Sequence, residues 1–259
     1  RVKARSLRLG IYKGGFQQAL DDMADKIRAH GATIHLNSPV SAMDVQNGKP
    51  RLQVNSEWHK FDRVLSTTSP SLLLKLGGDA LRNTDYGAQV AGLKSIGAVC
   101  VVFALKQSLL TDGTYWLNLP ATSPDKAQSR FPFLALVEHT NWMDKTHYNG
   151  DVLVYCGDYV PADHEYFQMD ESALIDRFAS VLSTFNPDFK PDWIRKVWAF
   201  RAPYAQPVPS IHHSQHIPAL KTPLDGVYWA SMSQVYPWDR GTNFAVEMGR
   251  RVAKQMLEG

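Results

Sequence analysis

Gly226-Val-Tyr-Trp-Ala-Ser-Met232, the loop Ser233-Gln-Val-Tyr-Pro-Trp-Asp-Arg-Gly-Thr-Asn243 and the run Phe244-Ala-Val-Glu-Met-Gly-Arg-Arg-Val-Ala-Lys-Gln-Met256 decide the fold. They read as a short apolar strand, an aromatic and polar loop, a glycine, and an amphipathic helix. That order aims the backbone N–H groups of a helix start at whatever lies above the strand end. A first helical turn has donors without intrahelical partners and a partial positive charge, so it suits an anion or an electron-rich ring edge. Within the loop, Tyr236 and Trp238 can stack on a flat ring. Asp239 and Arg240 can face a ligand or simply pair with each other. Gly241 lets backbone approach closely, and Thr242 or Asn243 is expected to cap the helix.

Far upstream, Phe16, Leu20, Met23 and Ile27 recur at helical spacing after Gly14-Gly15. His30-Gly31 supplies the stop. Thr33-Ile-His-Leu36 alternates like a strand. Val40 to Val45 and Arg51 to Asn55 flank Asn47-Gly48, a hairpin signal. Arg63-Val-Leu-Ser-Thr67 is a further strand that runs into the polar stretch ending at Ser69. On pattern alone this block is a plain helix-and-strands unit.

Between the two ends, four strand-type runs cover Ile96–Leu105, Tyr115–Leu119, Phe133–Val137 and Val152–Cys156. Ser71–Leu76 reads as one or two helical turns, Met169–Phe185 as a helix and Ile194–Phe200 as another strand. The predicted fold class is therefore α+β, a mixed α/β chain. Residues 71–220 form a mixed, largely antiparallel sheet with flanking helices, set between the outer segments 1–70 and 221–259.

Composition narrows the function. A net charge of +3 on 259 residues, with scattered Lys and Arg, argues against nucleic acid. The longest apolar run, Ile96–Leu105, is about half the length a bilayer needs, so no integral membrane segment is expected. Cys100 and Cys156 both sit in apolar runs, which suits a reducing, cytoplasmic setting better than a disulfide framework. His212, His213 and His216 lie in a loop without a carboxylate at ligand spacing, so no metal is predicted. The chain opens Arg1-Val-Lys-Ala-Arg5, and no Gly-x-Gly-x-x-Gly follows a strand. It is expected to be a fragment, the later part of something longer.

The two outer segments together resemble the FAD-dependent amine oxidase, protoporphyrinogen oxidase and phytoene desaturase superfamily. The C-terminal stretch is similar to that family's flavin-binding strand, loop and helix, and residues 14–67 to its double-glycine helix and adenine-side strands. The resemblance implies FAD as cofactor and a small-molecule substrate. It places Val40 near the adenine and Thr67 and Thr68 on the phosphate side. Ser231 and Met232 stand where many members have Gly-Asp. Tyr236, Trp238, Asp239, Arg240, Gly241, Thr242 and Asn243 then surround the flavin, one N–H meeting its pyrimidine edge.

Arg201-Ala-Pro-Tyr-Ala-Gln-Pro207 resembles the family segment that returns toward the flavin. Tyr204 and Gln206 are candidates for the substrate side of the ring, and Arg201 for holding an acidic group or pairing with a carboxylate of its own chain. Glu138 and His139, just past a buried strand, offer general acid–base chemistry, with Glu138 the candidate. The implied activity is oxidation of a small organic substrate by hydride transfer to flavin, in a parent protein of which this piece alone is inactive. Two other readings stay open. One is a non-redox flavin mutase similar to UDP-galactopyranose mutase, its diphosphate held by arginines such as Arg201 and Arg240. The other is an inert module that binds a ligand or partner, with self-association through an exposed docking face.

Overall fold

The computed structural model describes residues 10–123, 128–238 and 241–258. Asp239 and Arg240 lie outside the described residues. The chain is α+β, and its described residues form five α-helices and three sheets. Helix α1 (Gly15–Ala29) follows Gly14 and stops at His30-Gly31 as its spacing demands. Its apolar stripe of Phe16, Leu20, Met23 and Ile27 is exposed, and none of its residues is buried. Thr33–Leu36, read above as a strand, forms none: no ladder reaches it, and Asn37 then takes φ 54° and turns the chain. Alternation of side chains marks a strand only where a neighbouring strand accepts its hydrogen bonds.

Strands β1 (Val40–Gln46) and β2 (Lys49–Val54) make the hairpin around Asn47-Gly48. Both turn residues sit in the left-handed region, at φ 54° and 72°, where Asn and Gly carry little strain. A second tight turn at Asn55-Ser56 adds β3 (Glu57–Lys60), which the sequence pattern missed because its side chains are all exposed. Strand β4 (Val64–Ser66) leads through the Ser69 cap into α2 (Pro70–Arg82), and Thr84 caps α3 (Asp85–Ala91).

The middle of the chain builds a five-stranded sheet. Its members are β5 (Lys94–Leu105), β6 (Trp116–Asn118), β7 (Ala135–Glu138), β8 (Val152–Val160) and β9 (Ile194–Val208), in the order β6-β7-β8-β5-β9. Every pairing in it is antiparallel, so the expected mixture of directions belongs to the chain and not to this sheet. The pattern predicts a strand that ends at Phe200. The ladder continues through Pro203 and Pro207, which is tolerable because β9 is an edge strand with one side unpaired.

Residues opposed across antiparallel strands point to the same face. One face carries Val101, Cys156, Leu136 and Ala199, packed under α4 (Glu171–Ala179) and its neighbouring aromatics. The other face carries Cys100, Gly157, Ala135 and Phe200, and no α-helix among the described residues covers it.

The last elements are β10 (Val227–Trp229) and α5 (Thr242–Glu258). Strand β10 pairs in parallel with β4, Val227 against Val64 and Trp229 against Ser66. The two ends of the sequence therefore meet in one small sheet. On one side Val64, Val227 and Trp229 pack with Met43, Leu73 and Leu81. On the other, Tyr228 and Ala230 pack with Met248 and Val252 of α5.

Candidate cofactor and substrate site

Parallel strands place their carboxyl ends together, and here those ends are Thr67 after β4 and Ser231-Met232 after β10. The three residues line one cavity of about 230 Å³ that α5 closes with Ala245, Met248 and Gly249. Gly249 leaves room there, since a Cβ built on it would meet nothing within 4 Å. The helix begins one residue earlier than a Thr242 cap requires. Gly241 accepts the amide of Ala245 at 3.0 Å through its carbonyl, so the capping position is Gly241 and Thr242 and Asn243 are the first helical residues. Their amides belong to the turn whose N–H groups have no intrahelical acceptor.

The rest of the cofactor constellation is distributed around this cavity. Thr68 is held by its own chain: its hydroxyl lies 2.9 Å from Ser66 Oγ, and its carbonyl accepts the indole N–H of Trp229 at 2.9 Å. Tyr236 and Trp238 border an adjoining groove with Phe244 and Arg251. Trp238 stacks on Phe244, the ring centroids 6.2 Å apart and the planes 9° from parallel, which leaves one indole face open. Tyr236 is tilted against His213 at 5.6 Å. Val40 lies elsewhere, at the start of β1 in a groove of about 830 Å³ shared with His35, Leu52 and Trp58.

The candidates for chemistry separate. Glu138 is 1% exposed and turns inward. Its Oε2 accepts the amides of Leu109 and Leu110 at 3.0 and 2.6 Å, and its Oε1 accepts the hydroxyl of Ser108 at 2.7 Å. A carboxylate so occupied secures the 108–110 loop, and this corrects its reading as an acid–base group. Arg201 donates from Nε to the carbonyl of Tyr166 and from Nη2 to that of Met169, both at 2.8 Å, so it ties the segment before α4 to the sheet. That replaces the expected acidic ligand with backbone carbonyls. Gln206 stands opposite Ile96 near the end of β9.

Tyr204 is the residue that joins the sheet to the cofactor cavity. Its hydroxyl lies 3.0 Å from Ser231 Oγ and 2.8 Å from Ser233 Oγ. Ser231 also caps the short turn Met232–Gln234, and Gln234 Oε1 accepts the Ser231 amide at 2.8 Å. His213 completes the support, its Nε2 3.2 Å from the Ser233 carbonyl. Ser233 and Gln234 were not picked out from the sequence, although Ser231-Met-Ser-Gln234 is a capping-box spacing. Tyr204→Phe is expected to cost about 0.5–1.5 kcal/mol, the usual worth of a partly buried hydroxyl contact. A urea melt of the two proteins measures it, and an unchanged midpoint would contradict the network.

A second cavity, of about 400 Å³, opens on the uncovered face of the five-stranded sheet. Ala98, Cys100, Ala135 and Gly157 form its floor, and Tyr115, Trp116, Tyr155 and Tyr159 stand around it. His139, released by the end of β7, turns toward this side, with Nε2 2.7 Å from the Tyr148 hydroxyl. Burial lowers the imidazole pKa of His139 and raises the hydroxyl pKa of Tyr155, so both favour their neutral forms. Burial also pushes the Cys100 thiol up to about 11. Among the described residues no cluster of three or more His, Cys, Asp or Glu is placed to hold a metal, and no helix is long and apolar enough to cross a membrane.

Residues 2–257 match the flavin-containing amine oxidoreductase family, and the chain belongs to it. The fold is similar to that of an Exiguobacterium sp. 255-15 protein provisionally assigned as a protoporphyrinogen oxidase, with a TM-score of 0.73 and 15% identity. That match covers 95% of this chain and 51% of the other. An oxidoreductase from Methanosarcina mazei is similar at TM-score 0.60 and 20% identity, over 85% of this chain and 49% of that one. A Pyrococcus furiosus protein is similar at TM-score 0.53 and 14% identity, over 85% and 46%. The chain thus spans about half the length of these structures. No curated protein matches it.

Proposed function

We propose that this chain is the substrate-sheet and C-terminal cofactor-contacting part of an FAD-dependent oxidoreductase that oxidises a small organic molecule. In this reading residues 1–70 and 221–259 belong to the cofactor domain and residues 71–220 to the substrate domain. The observation that carries it is the parallel pairing of β4 with β10, which brings Thr67, Ser231 and Met232 to one cavity beneath the first turns of α5. The residues fit a flavin nucleotide in kind. There are backbone ends of parallel strands, a helix start with unpaired amides, and a glycine-lined wall that a ligand can approach.

When bound, FAD supplies the hydride acceptor, and the chain supplies binding and orientation. Thr67 and Ser231 present strand-end groups to the nucleotide. The amides of Thr242 and Asn243 offer donors at the positive end of α5. Tyr204 fixes the Ser231–Gln234 turn against the sheet, so cofactor and substrate surfaces keep one spacing. Gln206 faces the substrate beside it. Trp238 keeps one indole face for a flat ring. The exposed stripe of α1 is the surface through which the isolated chain would associate with itself.

The test is the visible absorption spectrum of a longer protein that contains residues 1–259, recorded before and after a reductant, beside the 259-residue chain. A flavin spectrum in the longer protein that bleaches, with none in the shorter, is the expected result. Absence of flavin from both, with no uptake on adding FAD, would overturn the proposal.

A further inference from the structure

We infer that the cavity on the uncovered sheet face is a slot for a flat, uncharged ring of the substrate, held away from the bond that is oxidised. This rests on the oxidase reading, and it concerns recognition rather than the cofactor.

Gly157 is the starting point. It lies in the middle of β8, opposite Cys100, and its backbone is not in the left-handed region. A Cβ built on it would stand 3.8 Å from the Val99 carbonyl oxygen and 3.9 Å from Cys100 Sγ, ordinary contact distances. Neither backbone conformation nor packing therefore requires glycine. Glycine inside a strand weakens it and is often kept where something approaches the backbone closely. Its neighbours on that face, Ala98, Cys100 and Ala135, are small as well, so the floor is flat. Aromatic side chains stand on its margins, a shape that accepts a ring laid on the sheet and edged by other rings.

Charge selects the ligand further. Among the described residues no Lys or Arg lines the cavity. His139 is engaged with Tyr148, and the Cys100 thiol stays protonated. Asp158 borders the space, but its register with Val99 turns the carboxylate toward the helix-covered side, where Tyr166 feels it. Among the described residues nothing in the slot offers a counter-charge to an anion, and no carboxylate faces a cation. The position agrees with a remote subsite. Gly157 pairs with Cys100, four residues beyond Ile96, the partner of Gln206, which is about 13 Å along the strand. A substrate long enough to span that distance from Gln206 can rest its far ring over Gly157.

The test titrates the 259-residue chain with 2-naphthol, 2-naphthylmethylammonium and 2-naphthoate by calorimetry. We expect saturable binding of 2-naphthol, at least tenfold tighter than either charged analogue. Gly157→Leu, whose side chain fills the floor, should lose at least tenfold in affinity while keeping its far-ultraviolet circular dichroism and a cooperative melt. Trp116→Ala removes a wall at an exposed site and should weaken binding without disturbing the fold. Lack of saturable 2-naphthol binding, preference for a charged analogue, or unchanged affinity in both variants would each overturn the slot. The titration needs no flavin, so its failure is distinct from a missing flavin spectrum.

Discussion

Glu138→Ala is expected to destabilise the protein by about 2–6 kcal/mol, because each buried donor left without a partner costs about 1–3 kcal/mol and the two buried amides are stranded at once. The carboxylate is the common acceptor for the amides of Leu109 and Leu110 and for the Ser108 hydroxyl, all drawn from the loop after β5. Leu109 and Leu110 are themselves buried in the main core, so water cannot replace the lost acceptor without opening that core. Glu138→Gln keeps one carbonyl oxygen for the two amides and can turn its NH₂ toward Ser108, so its loss should be much smaller. Urea unfolding of the wild type and both variants reads the difference. If alanine and glutamine left the midpoint unchanged while an assembled enzyme lost activity, the structural role assigned to Glu138 would be wrong.

Trp229→Ala should be as damaging, at about 3–5 kcal/mol, the usual range for truncating a buried tryptophan. The side chain is fully buried among Val64, Leu73 and Leu81, and its N–H reaches across to the Thr68 carbonyl. Removing it opens a cavity between α2 and the β4–β10 pair and frees the strand end that carries Thr67. Trp229→Phe should recover most of the packing but not the hydrogen bond, placing it between the two. Equilibrium unfolding followed by tryptophan fluorescence measures both variants. In an assembled flavoprotein the phenylalanine form should also hold flavin less tightly, because the Thr67–Thr68 turn loses its tether.

Much of this architecture was legible in the chain. Asn47-Gly48 marked its hairpin because few dipeptides accept two left-handed residues in a row. The pairing of β4 with β10 was foreshadowed by two short apolar strands, each followed by polar residues. What could not be read were features set by partners distant in sequence. β3 is wholly exposed and carries no hydrophobic period, so only its register with β2 defines it. Glu138 looks like any carboxylate at a strand end until the 108–110 loop closes on it. Gly157 is equally silent in a string of letters, since its meaning lies in the empty space above it. Tyr204 was singled out for touching substrate, whereas its hydroxyl is spent on two serines nearly thirty residues away. Ser233 and Gln234 were overlooked although their capping spacing was visible.

The parallel pairing of β4 with β10 also bears on how the chain reaches its native state during synthesis. Residues 64–66 leave the ribosome long before 227–229, and the five-stranded sheet is made in between. Closing a loop of that length in an unstructured chain costs about 4–5 kcal/mol by the logarithmic length rule. The intervening sheet, once folded, shortens the gap and lowers that cost. Until β10 emerges, the apolar surface of Met43, Val64 and Leu73 lacks Val227 and Trp229. The nascent polypeptide therefore exposes an unfinished core from the synthesis of β4 until that of β10, a window in which chaperone contact matters. A stop codon before residue 227 would make that window permanent.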